Sequence, residues 1–351
     1  MLKVGIVGLP NVGKSTLFKV LTKNPVDINN YPFCTIDPNI GIVPIQDKRL
    51  DKLTELSGSE KKIPTAIEFV DIAGLVKGAH KGEGLGNQFL SNIRNMDLIC
   101  HVIRFFGSKN IKHIEDSIDP VRDYEIINTE LILADLATVE KRKAKTQKIA
   151  KSANKEAQIA LQGLEKLQKT LNQNKLARKS ELTKEEKEIL SDLHLITQKP
   201  FIYAFNISQD TPEEILDKQK KFLKQKNHVL IDMKTEEELL DLSKEEADEL
   251  GLKSNIAQLP KVAYDTLNLI TFFTTGPEES RAWTVEKGAS APEAGAKIHN
   301  DFKNKFIKAE VINYQEFVYA GSYKTAREKG LLRTEGKDYI VRDGDIIIFK
   351  I

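Results

Sequence analysis

The sequence predicts an α/β protein: a mostly parallel sheet flanked by helices, interrupted by a helical arm and followed by a small α+β domain. Three observations lead to this fold class. Short apolar runs rich in β-branched residues alternate with helical patterns, one long interval has no strand pattern, and about 85 residues at the end return to strands around a helix. We place the first domain at residues 1–265, the arm inserted in it at 126–197, and the second domain at 266–351.

The strands of the first domain are predicted from short apolar runs. Residues 2–8 form the first run, and a helical pattern follows from Lys14, with Leu17, Val20 and Leu21 on one face. Because helical patterns separate most of the runs, we expect parallel strands with helices on both faces and a ligand at their carboxyl ends. The later runs are 66–72, 98–105, 200–206 and 228–233.

The arm is predicted from leucine and isoleucine residues at helical spacing. We expect two long amphipathic helices that form an antiparallel hairpin with its turn near Asn172 to Asn174. Residues 140–180 contain 12 Lys or Arg against 3 acidic residues, whereas residues 181–250 contain 18 acidic against 10 basic residues. The small net charge of the whole chain therefore conceals two regions of opposite sign.

The C-terminal pattern predicts a ubiquitin-like α+β domain. Residues 270–276 and 281–288 are typical of a strand pair, and residues 290–306 of one helix, which Ser290 would begin with Glu293 three residues on. Residues 339–351 predict a hairpin across Asp343-Gly344.

The composition supports folded domains without indicating a partner. Of the 351 residues 40% are hydrophobic, and 53 basic and 51 acidic residues leave a net charge of +2. Cys34 and Cys100 are too few for a disulfide framework or a four-ligand zinc site. No apolar stretch approaches the roughly 18 residues of a membrane span, and no leader pattern precedes the first strand. We expect a soluble cytoplasmic protein that contacts neither a membrane nor DNA.

A phosphate-binding loop is the most specific motif. GLPNVGKS, residues 8–15, matches GxxxxGK[ST] between a predicted strand and helix. Glycines let the backbone amides curve around the β-phosphate, Lys14 would bridge the β and γ oxygens, and the Ser15 hydroxyl would bind Mg²⁺. The motif predicts a P-loop nucleotide-binding domain, which alone could belong to a kinase, a motor or a switch protein.

A second motif indicates a switch protein of the Ras-like type. In VDIAG, Asp71 would hold the Mg²⁺ shell through water and the Gly74 amide would meet the γ-phosphate. Thr35, in PFCTIDPN, is the candidate for a second hydroxyl on the metal. Ras-like switches place a water-orienting glutamine where this chain has Leu75. Hydrolysis is therefore expected to be slow, or to be assisted by another group, by a monovalent cation such as K⁺ near Asn11, or by a bound partner.

Two histidines are candidates for that assistance. His80 lies in the glycine-rich tract that follows VDIAG, a tract suited to reordering with the γ-phosphate, and His113 lies after the next strand. For each, an ordinary surface histidine is the competing interpretation.

The base is predicted from FNISQD, residues 205–210. In NKxD, the aspartate and lysine recognise guanine, but here Gln209 and Ile207 stand at those positions. Asn206 remains, and an asparagine can pair with adenine N6 and N7. We expect ATP to be preferred over GTP, with Asn206 as the base contact.

Several segments together closely resemble the YchF or Obg-like ATPase family over nearly the whole chain. They include GLPNVGKST, NYPFCTIDPN, FVDIAGLVKGAHKGEGLGNQFL, NTEL, RAWTVEKGASAPEAGAKIHNDF and EGKDYIVRDGDIIIF. The resemblance implies a TRAFAC-class P-loop domain with a coiled-coil insertion, a C-terminal TGS domain, ATP preference and ribosome binding. It implies nucleotide contacts by Asn11, Val12, Gly13, Lys14, Ser15, Thr16, Asn206 and Ile207, metal binding by Ser15 and Thr35, and help with hydrolysis from His113.

Two positions depart from the family pattern. Gln209 replaces the usual glutamate of N-x-x-E, and Asp232-Met233-Lys234 occupies the later SAK-like position. Mixed use of ATP and GTP is the deviation expected if Gln209 loosens the base pocket.

Three functions follow as alternatives. The first is a ribosome-associated ATPase switch, in which the basic arm or the TGS domain contacts rRNA of the large subunit. The second is a GTPase of the same class. The third is a ribosome- or RNA-binding module whose nucleotide is structural. For the arm itself, a solvated charged helix is the competing interpretation.

Overall fold

The computed structural model describes residues 1–23, 37–72, 85–107, 118–151, 154–208, 211 and 227–351. No helix within these ranges is both long and apolar enough to span a membrane. The described strands are β1 (Leu2–Val7), β2 (Ile40–Pro44), β3 (Lys61–Ile63), β4 (Ala66–Asp71), β5 (Leu98–Arg104), β6 (Phe201–Asn206), β7 (His228–Ile231), β8 (Leu269–Thr275), β9 (Glu279–Glu286), β10 (Lys308–Asn313), β11 (Arg333–Glu335) and β12 (Asp345–Lys350).

The described helices alternate with these strands in the first half of the chain and surround them in the second. They are α1 (Lys14–Thr22), α2 (Lys48–Ser57), α3 (Leu85–Arg94), α4 (Pro120–Ala150), α5 (Lys155–Asn172), α6 (Lys184–Ile189), α7 (Met233–Glu238), α8 (Lys244–Glu249), α9 (Gln258–Thr266), α10 (Ala291–Ile298), α11 (Asn300–Asn304), α12 (Tyr314–Ala320) and α13 (Tyr323–Glu328).

The first sheet has the order β2-β4-β1-β5-β6-β7. All neighbouring pairs are parallel except β2 with β4. The five apolar runs of the first domain are confirmed as strands, and β5 and β6 are buried along their whole length because helices cover both faces. Parallel pairing brings the ends of β1, β4, β6 and β7 to one edge, where the predicted phosphate and base motifs begin.

The arm is a helical hairpin, as predicted, but its turn is elsewhere. The prediction near Asn172 to Asn174 was wrong, because α5 ends at Asn172 and the connection from α4 lies at residues 151–154. The Asn154 side chain caps α5 by accepting a hydrogen bond from Ala157 N at 2.9 Å. A separate apolar core, with Val139, Leu164 and Leu167 at its centre, holds the hairpin together.

The start of the arm also differs from the sequence estimate. Helix α4 begins at Pro120, six residues before the predicted 126, with Asp119 as its N-cap. The Asp119 carboxylate accepts hydrogen bonds from Val121 N and Arg122 N at 3.1 and 3.2 Å. This cap fixes the base of the arm close to the end of β5.

The second sheet has the order β11-β10-β12-β8-β9-β3. The predicted pair of strands is confirmed as antiparallel β8 and β9. The single helix predicted for 290–306 is wrong in part: Ser290 and Glu293 form the expected capping box, but the backbone extends at His299 and α11 starts anew.

The predicted hairpin across Asp343-Gly344 is also wrong. Gly344 has a φ of 86°, as a turn there requires, yet the two flanks of the turn do not pair with each other. Strand β12 instead pairs antiparallel with β10 and parallel with β8, while Ile340 forms a single bridge to Ser290.

The second sheet takes one strand from the first part of the chain. Strand β3 pairs in parallel with β9, and the preceding helix α2 buries Leu50 and Leu53 against Phe273 and other residues of the C-terminal core. Arg49 strengthens this contact through an ion pair with Asp343 at 2.6 Å. The domain boundary between residues 265 and 266 stays a prediction. The two parts of the chain are interlocked, because α2 and β3 from the first part pack into the C-terminal sheet.

We predict that Leu53→Ala destabilises the C-terminal sheet although residue 53 lies in the first part of the chain. Leu53 is fully buried, so losing its side chain should cost about 2–5 kcal/mol. Hydrogen exchange should show reduced protection of β8, β9 and β12, whereas Lys48→Ala, an exposed position on the same helix, should change protection little. Loss of protection confined to β1 and β4 would contradict the interlocked packing.

Candidate nucleotide site

The phosphate loop joins β1 to α1 in a shape that requires glycine at two points. Gly13 has a φ of 104°, and a Cβ atom there would lie 2.5 Å from the Asn206 side-chain nitrogen. A Cβ atom on Gly8 would lie 2.6 Å from the carbonyl oxygen of Val102. Asn11 also has a positive φ, of 62°, which asparagine tolerates better than most residues. The motif spacing thus reflects the close approach of backbone to neighbouring strands.

Lys14 is the buried cation of the loop. It is 8% exposed, and its Nζ donates a hydrogen bond to the carbonyl oxygen of Leu9 at 2.8 Å. Burial lowers the pKa of the Lys14 ammonium below its ordinary value, and the charge of Asp71 opposes this shift. The group is therefore placed to pair with an anion that enters the loop.

Ser15 and Asp71 meet where a metal would bind. The Ser15 hydroxyl donates to Asp71 Oδ2 at 3.4 Å, across the ends of α1 and β4. A hydroxyl and a carboxylate are hard oxygen ligands, which suit Mg²⁺ bound mainly through substrate phosphates and water. Within the described residues no group of three or more His, Cys, Asp or Glu could hold a metal alone. The pair fits a magnesium ion that arrives with a nucleotide.

Asn206 connects the phosphate loop to the opposite side of the site. It is 4% exposed; its Nδ2 donates to the carbonyl oxygen of Val12 at 3.0 Å, and its Oδ1 accepts from Met233 N at 3.3 Å. One hydrogen of the amide and one lone pair remain for a ligand. The predicted base contact stays a prediction, and the observed bonds add a positioning role for this side chain.

A single cavity of about 690 Å³ joins these groups. Seven of the eight predicted nucleotide contacts line it, and the eighth, Val12, is buried beneath the loop at 1% exposure. The lining residues predicted from sequence are Asn11, Gly13, Lys14, Ser15, Thr16, Asn206 and Ile207, and those that site prediction missed are Phe106, Gly107, Ser208, Asp232, Met233, Lys234 and Glu237.

Phe106 is the apolar wall that sequence reasoning missed. The Arg104 guanidinium lies 4.3 Å from the centroid of its ring, and Arg104 Nε donates to the Phe106 carbonyl oxygen at 3.1 Å. This double contact holds the ring half-buried at the end of β5, beside the base end of the cavity. No local motif marks it, because an aromatic residue after a strand is common in any core.

Several predicted site residues lie outside the described residues. They are Thr35, Gly74, Leu75, His80, His113 and Gln209, and their roles stay predictions.

The arm carries an exposed basic surface. Lys141, Lys145 and Lys148 lie at helical spacing on α4, all exposed, and in the described part of the chain none has an ion-pair partner. By contrast, Arg142 pairs with Asp192 at 3.0 Å and Lys143 with Glu165 at 3.5 Å. We call Lys141, Lys145 and Lys148 the lysine stripe.

The fold and the site together define a P-loop domain of the GTPase type. The family model MMR_HSR1, described as 50S ribosome-binding GTPase, matches residues 3–126. A second family model, YchF-GTPase_C, described as a protein of unknown function, matches residues 269–351.

The relatives show the particular family. The chain is 47% identical to the ribosome-binding ATPase YchF of Bacillus subtilis over 99% of both chains, and 46% identical to that of Escherichia coli O157:H7 over 99% of this chain and 98% of the other. The Schizosaccharomyces pombe YchF GTPase structure matches with a TM-score of 0.85 at 37% identity, covering 99% of this chain and 97% of that one. The chain belongs to the YchF family, as the sequence resemblance indicated.

We predict that Gly13→Ala weakens nucleotide binding by at least about tenfold, because a side chain there is strained by its left-handed backbone and collides with Asn206. The measurement is calorimetric titration with a non-hydrolysable triphosphate. Gly276→Ala is the matched control, since a Cβ at Gly276 meets open space and its φ is not positive. Equal affinities of the two variants would contradict the geometry described for the loop.

Proposed function

We propose that this chain is a P-loop ATPase that binds ribosomes and acts as a nucleotide-dependent switch in translation or the stress response. The supporting observation is the single cavity that runs from the phosphate loop to Asn206 and Phe106, with the Ser15–Asp71 pair at its phosphate end. A triphosphate in the loop would place its base between the ring of Phe106 and the loops after β6 and β7. The chain would be cytoplasmic, where ribosomes are.

Mg²⁺ is the cofactor that the phosphate end fits. Ser15 would bind it directly, Asp71 through water, and Thr35 from the preceding loop. Bound there, the ion would neutralise charge on the β- and γ-phosphates. Lys14 and the Gly74 amide would contact the γ-phosphate, and a potassium ion near Asn11 would add further positive charge.

ATP rather than GTP is proposed as the preferred nucleotide. The bacterial relatives are named ribosome-binding ATPases, whereas the Schizosaccharomyces pombe relative is named a GTPase. The chain lacks the aspartate that pairs with guanine N1 and N2, and Asn206 retains one N–H that N7 of either purine could accept. The choice of base must then come from other groups near positions 1, 2 or 6 of the ring, where adenine and guanine differ.

Hydrolysis is proposed to be slow without a partner. Leu75 cannot orient water, so His113 or His80 would have to supply a polar contact, or the ribosome would. Replacing each histidine with alanine separates these roles, because an unchanged turnover rate removes that histidine from the mechanism.

Ribosome contact is proposed for the lysine stripe, with the TGS domain as the other surface for rRNA of the large subunit. Clustered lysines neutralise phosphates regardless of base sequence. Neighbouring Arg142 and Lys143 are engaged within the arm, which leaves the stripe as the free positive surface of α4 in the described residues.

A physical route connects the nucleotide site with the arm. Helix α3 begins at Leu85, within the last part of the glycine-rich tract, and ends at Arg94. The Arg94 guanidinium donates to the Thr138 hydroxyl of α4 at 2.7 Å and to the Leu193 carbonyl oxygen at 3.3 Å. Movement of the tract with the γ-phosphate would therefore reach the arm through one helix.

We predict magnesium-dependent ATP hydrolysis that ribosomes accelerate and that Lys14→Ala reduces by at least about a hundredfold, since the γ-phosphate loses its buried cation. Phosphate release is measured with ATP and GTP, with and without ribosomes. GTP turnover equal to ATP turnover would favour a GTPase, and a Lys14→Ala chain that retains every cellular activity would favour a structural nucleotide.

We predict that replacing the three lysines of the lysine stripe with glutamate weakens ribosome cosedimentation at low salt by at least about tenfold. The slope of log affinity against log salt concentration should fall by the equivalent of about two to three phosphate contacts. The matched control reverses Lys244, Lys253 and Lys261, three exposed lysines away from the arm. Similar losses of cosedimentation in both triple variants would indicate non-specific attraction. Unchanged cosedimentation of the stripe variant would indicate that the TGS domain makes the contact instead.

A further inference from the structure

The side chain of Asp232 lies at the base end of the cavity with one oxygen uncommitted. Asp232 follows β7 and caps α7: its Oδ1 accepts hydrogen bonds from Lys234 N and Thr235 N, both at 3.1 Å. The residue is half-buried and lines the cavity together with Asn206 and Phe106. Among the described residues, none donates to Asp232 Oδ2, so this oxygen can still accept from a ligand.

The backbone donors around Asp232 are already occupied. Met233 N donates to Asn206 Oδ1, as noted above, and the amides of Lys234 and Thr235 to Asp232 itself. On the facing loop, Ile207 N donates to the Ile231 carbonyl oxygen at 3.0 Å and Ser208 N to the Thr211 hydroxyl at 3.1 Å. These five N–H groups cannot recognise a carbonyl on a base without breaking a bond inside the protein.

Within the described residues, no lysine or arginine forms an ion pair with Asp232 at this end of the cavity. Lys234 is 88% exposed at its side chain and lies 3.6 Å from Glu238, while Lys19 pairs with Glu237 at 2.7 Å. Both lysines of this region in the described chain are therefore directed to other carboxylates. In the described chain the Asp232 carboxylate, which lines the cavity, therefore has no ion-pair partner.

Adenine and guanine carry different substituents at position 6 of the ring, and a carboxylate can distinguish them. Adenine carries an amino group there, which donates, and guanine carries a carbonyl oxygen, which accepts. We propose that Asp232 is the specificity-determining residue of the site: its Oδ2 accepts a hydrogen bond from the 6-amino group of adenine and repels the 6-oxygen of guanine. This assignment rests on the proposed nucleotide site and names the group that chooses its base.

Asn206 does not make that choice by itself. Its remaining N–H can reach N7, which adenine and guanine share, and Met233 N already occupies one of the two lone pairs of its Oδ1. The two residues thus have different roles: Asn206 positions the loops and the ring, and Asp232 discriminates adenine from guanine at position 6.

The test compares four triphosphates on the full chain by calorimetry with Mg²⁺ present: ATP, GTP, inosine triphosphate and purine riboside triphosphate. Inosine differs from adenosine at the 6-position and N1, and purine riboside lacks the 6-substituent. The variants are Asp232→Ser, which keeps an oxygen to cap α7 but loses the charge, and Asp232→Asn, which keeps the shape. Thermal melting of each variant checks that the fold is intact.

The wild type is expected to bind ATP at least about tenfold more tightly than inosine triphosphate, and Asp232→Ser to reduce that ratio about tenfold. Asp232→Asn should shift the ratio in the same direction, because its amide can donate to the 6-oxygen. Binding of purine riboside triphosphate should change less than twofold in Asp232→Ser.

Two results would overturn the assignment. If both folded variants keep the wild-type ratio of ATP to inosine triphosphate, or lose all four nucleotides equally, Asp232 is only the cap of α7. A wild-type chain that binds no purine triphosphate would overturn the proposed function itself, and the assignment with it.

Discussion

The side-chain amide of Asn206 is the connection on which the nucleotide site depends. A buried amide must have partners, and this one takes Val12 O from the phosphate loop and Met233 N from the start of α7. Those two bonds fix the distance between the part of the site that would hold phosphates and the part that would hold a base. Gly13 is the counterpart of this constraint, because only a residue without a Cβ leaves room for the amide.

The sheet places Asn206 where it can serve both sides. In the parallel register Asn206 lies opposite Arg104 on β5 and Ile231 on β7, so the residues that follow each strand emerge at the same edge. Arg104 holds Phe106 at the cavity, and Asp232, the N-cap of α7, lines the same cavity. The phosphates, the ring and position 6 of a bound purine would thus meet groups from four neighbouring strands without any one loop having to be long.

Two routes lead from this edge to the rest of the molecule. One passes along α3 to Arg94 and the base of the arm. The other follows the chain through β2 into α2 and β3, which belong to the packing of the C-terminal sheet. Both routes start next to segments expected to sense the γ-phosphate, so a change of nucleotide would reach the arm and the second domain through packed elements.

Much of the fold followed from local sequence, and the errors have physical causes. The apolar runs and the spacing of Gly8 to Ser15 are dictated by burial and by backbone geometry, and both were predicted. The arm turn was misplaced because Asn172 to Asn174 is a stronger turn signal than residues 151–154, while the partner of α5 is set by long-range packing. Strand β3 pairs with β9, and β12 pairs with β10. These partners are set by long-range packing, which no local sequence pattern encodes. Phe106 is recognised as a lining residue only once the strand ends are brought together, whereas Asp232 was marked in the sequence only as part of the departure at the SAK-like position.

The most direct measurement is titration of the wild-type chain with a non-hydrolysable ATP analogue and Mg²⁺ by calorimetry, followed by hydrogen exchange of the complex. We expect one molecule bound per chain, with added protection at residues 8–16, at 206–208 and at 232–235 together. Saturable binding with no protection at the last two segments, or no heat of binding from folded protein, would contradict a single site that spans the edge of the sheet.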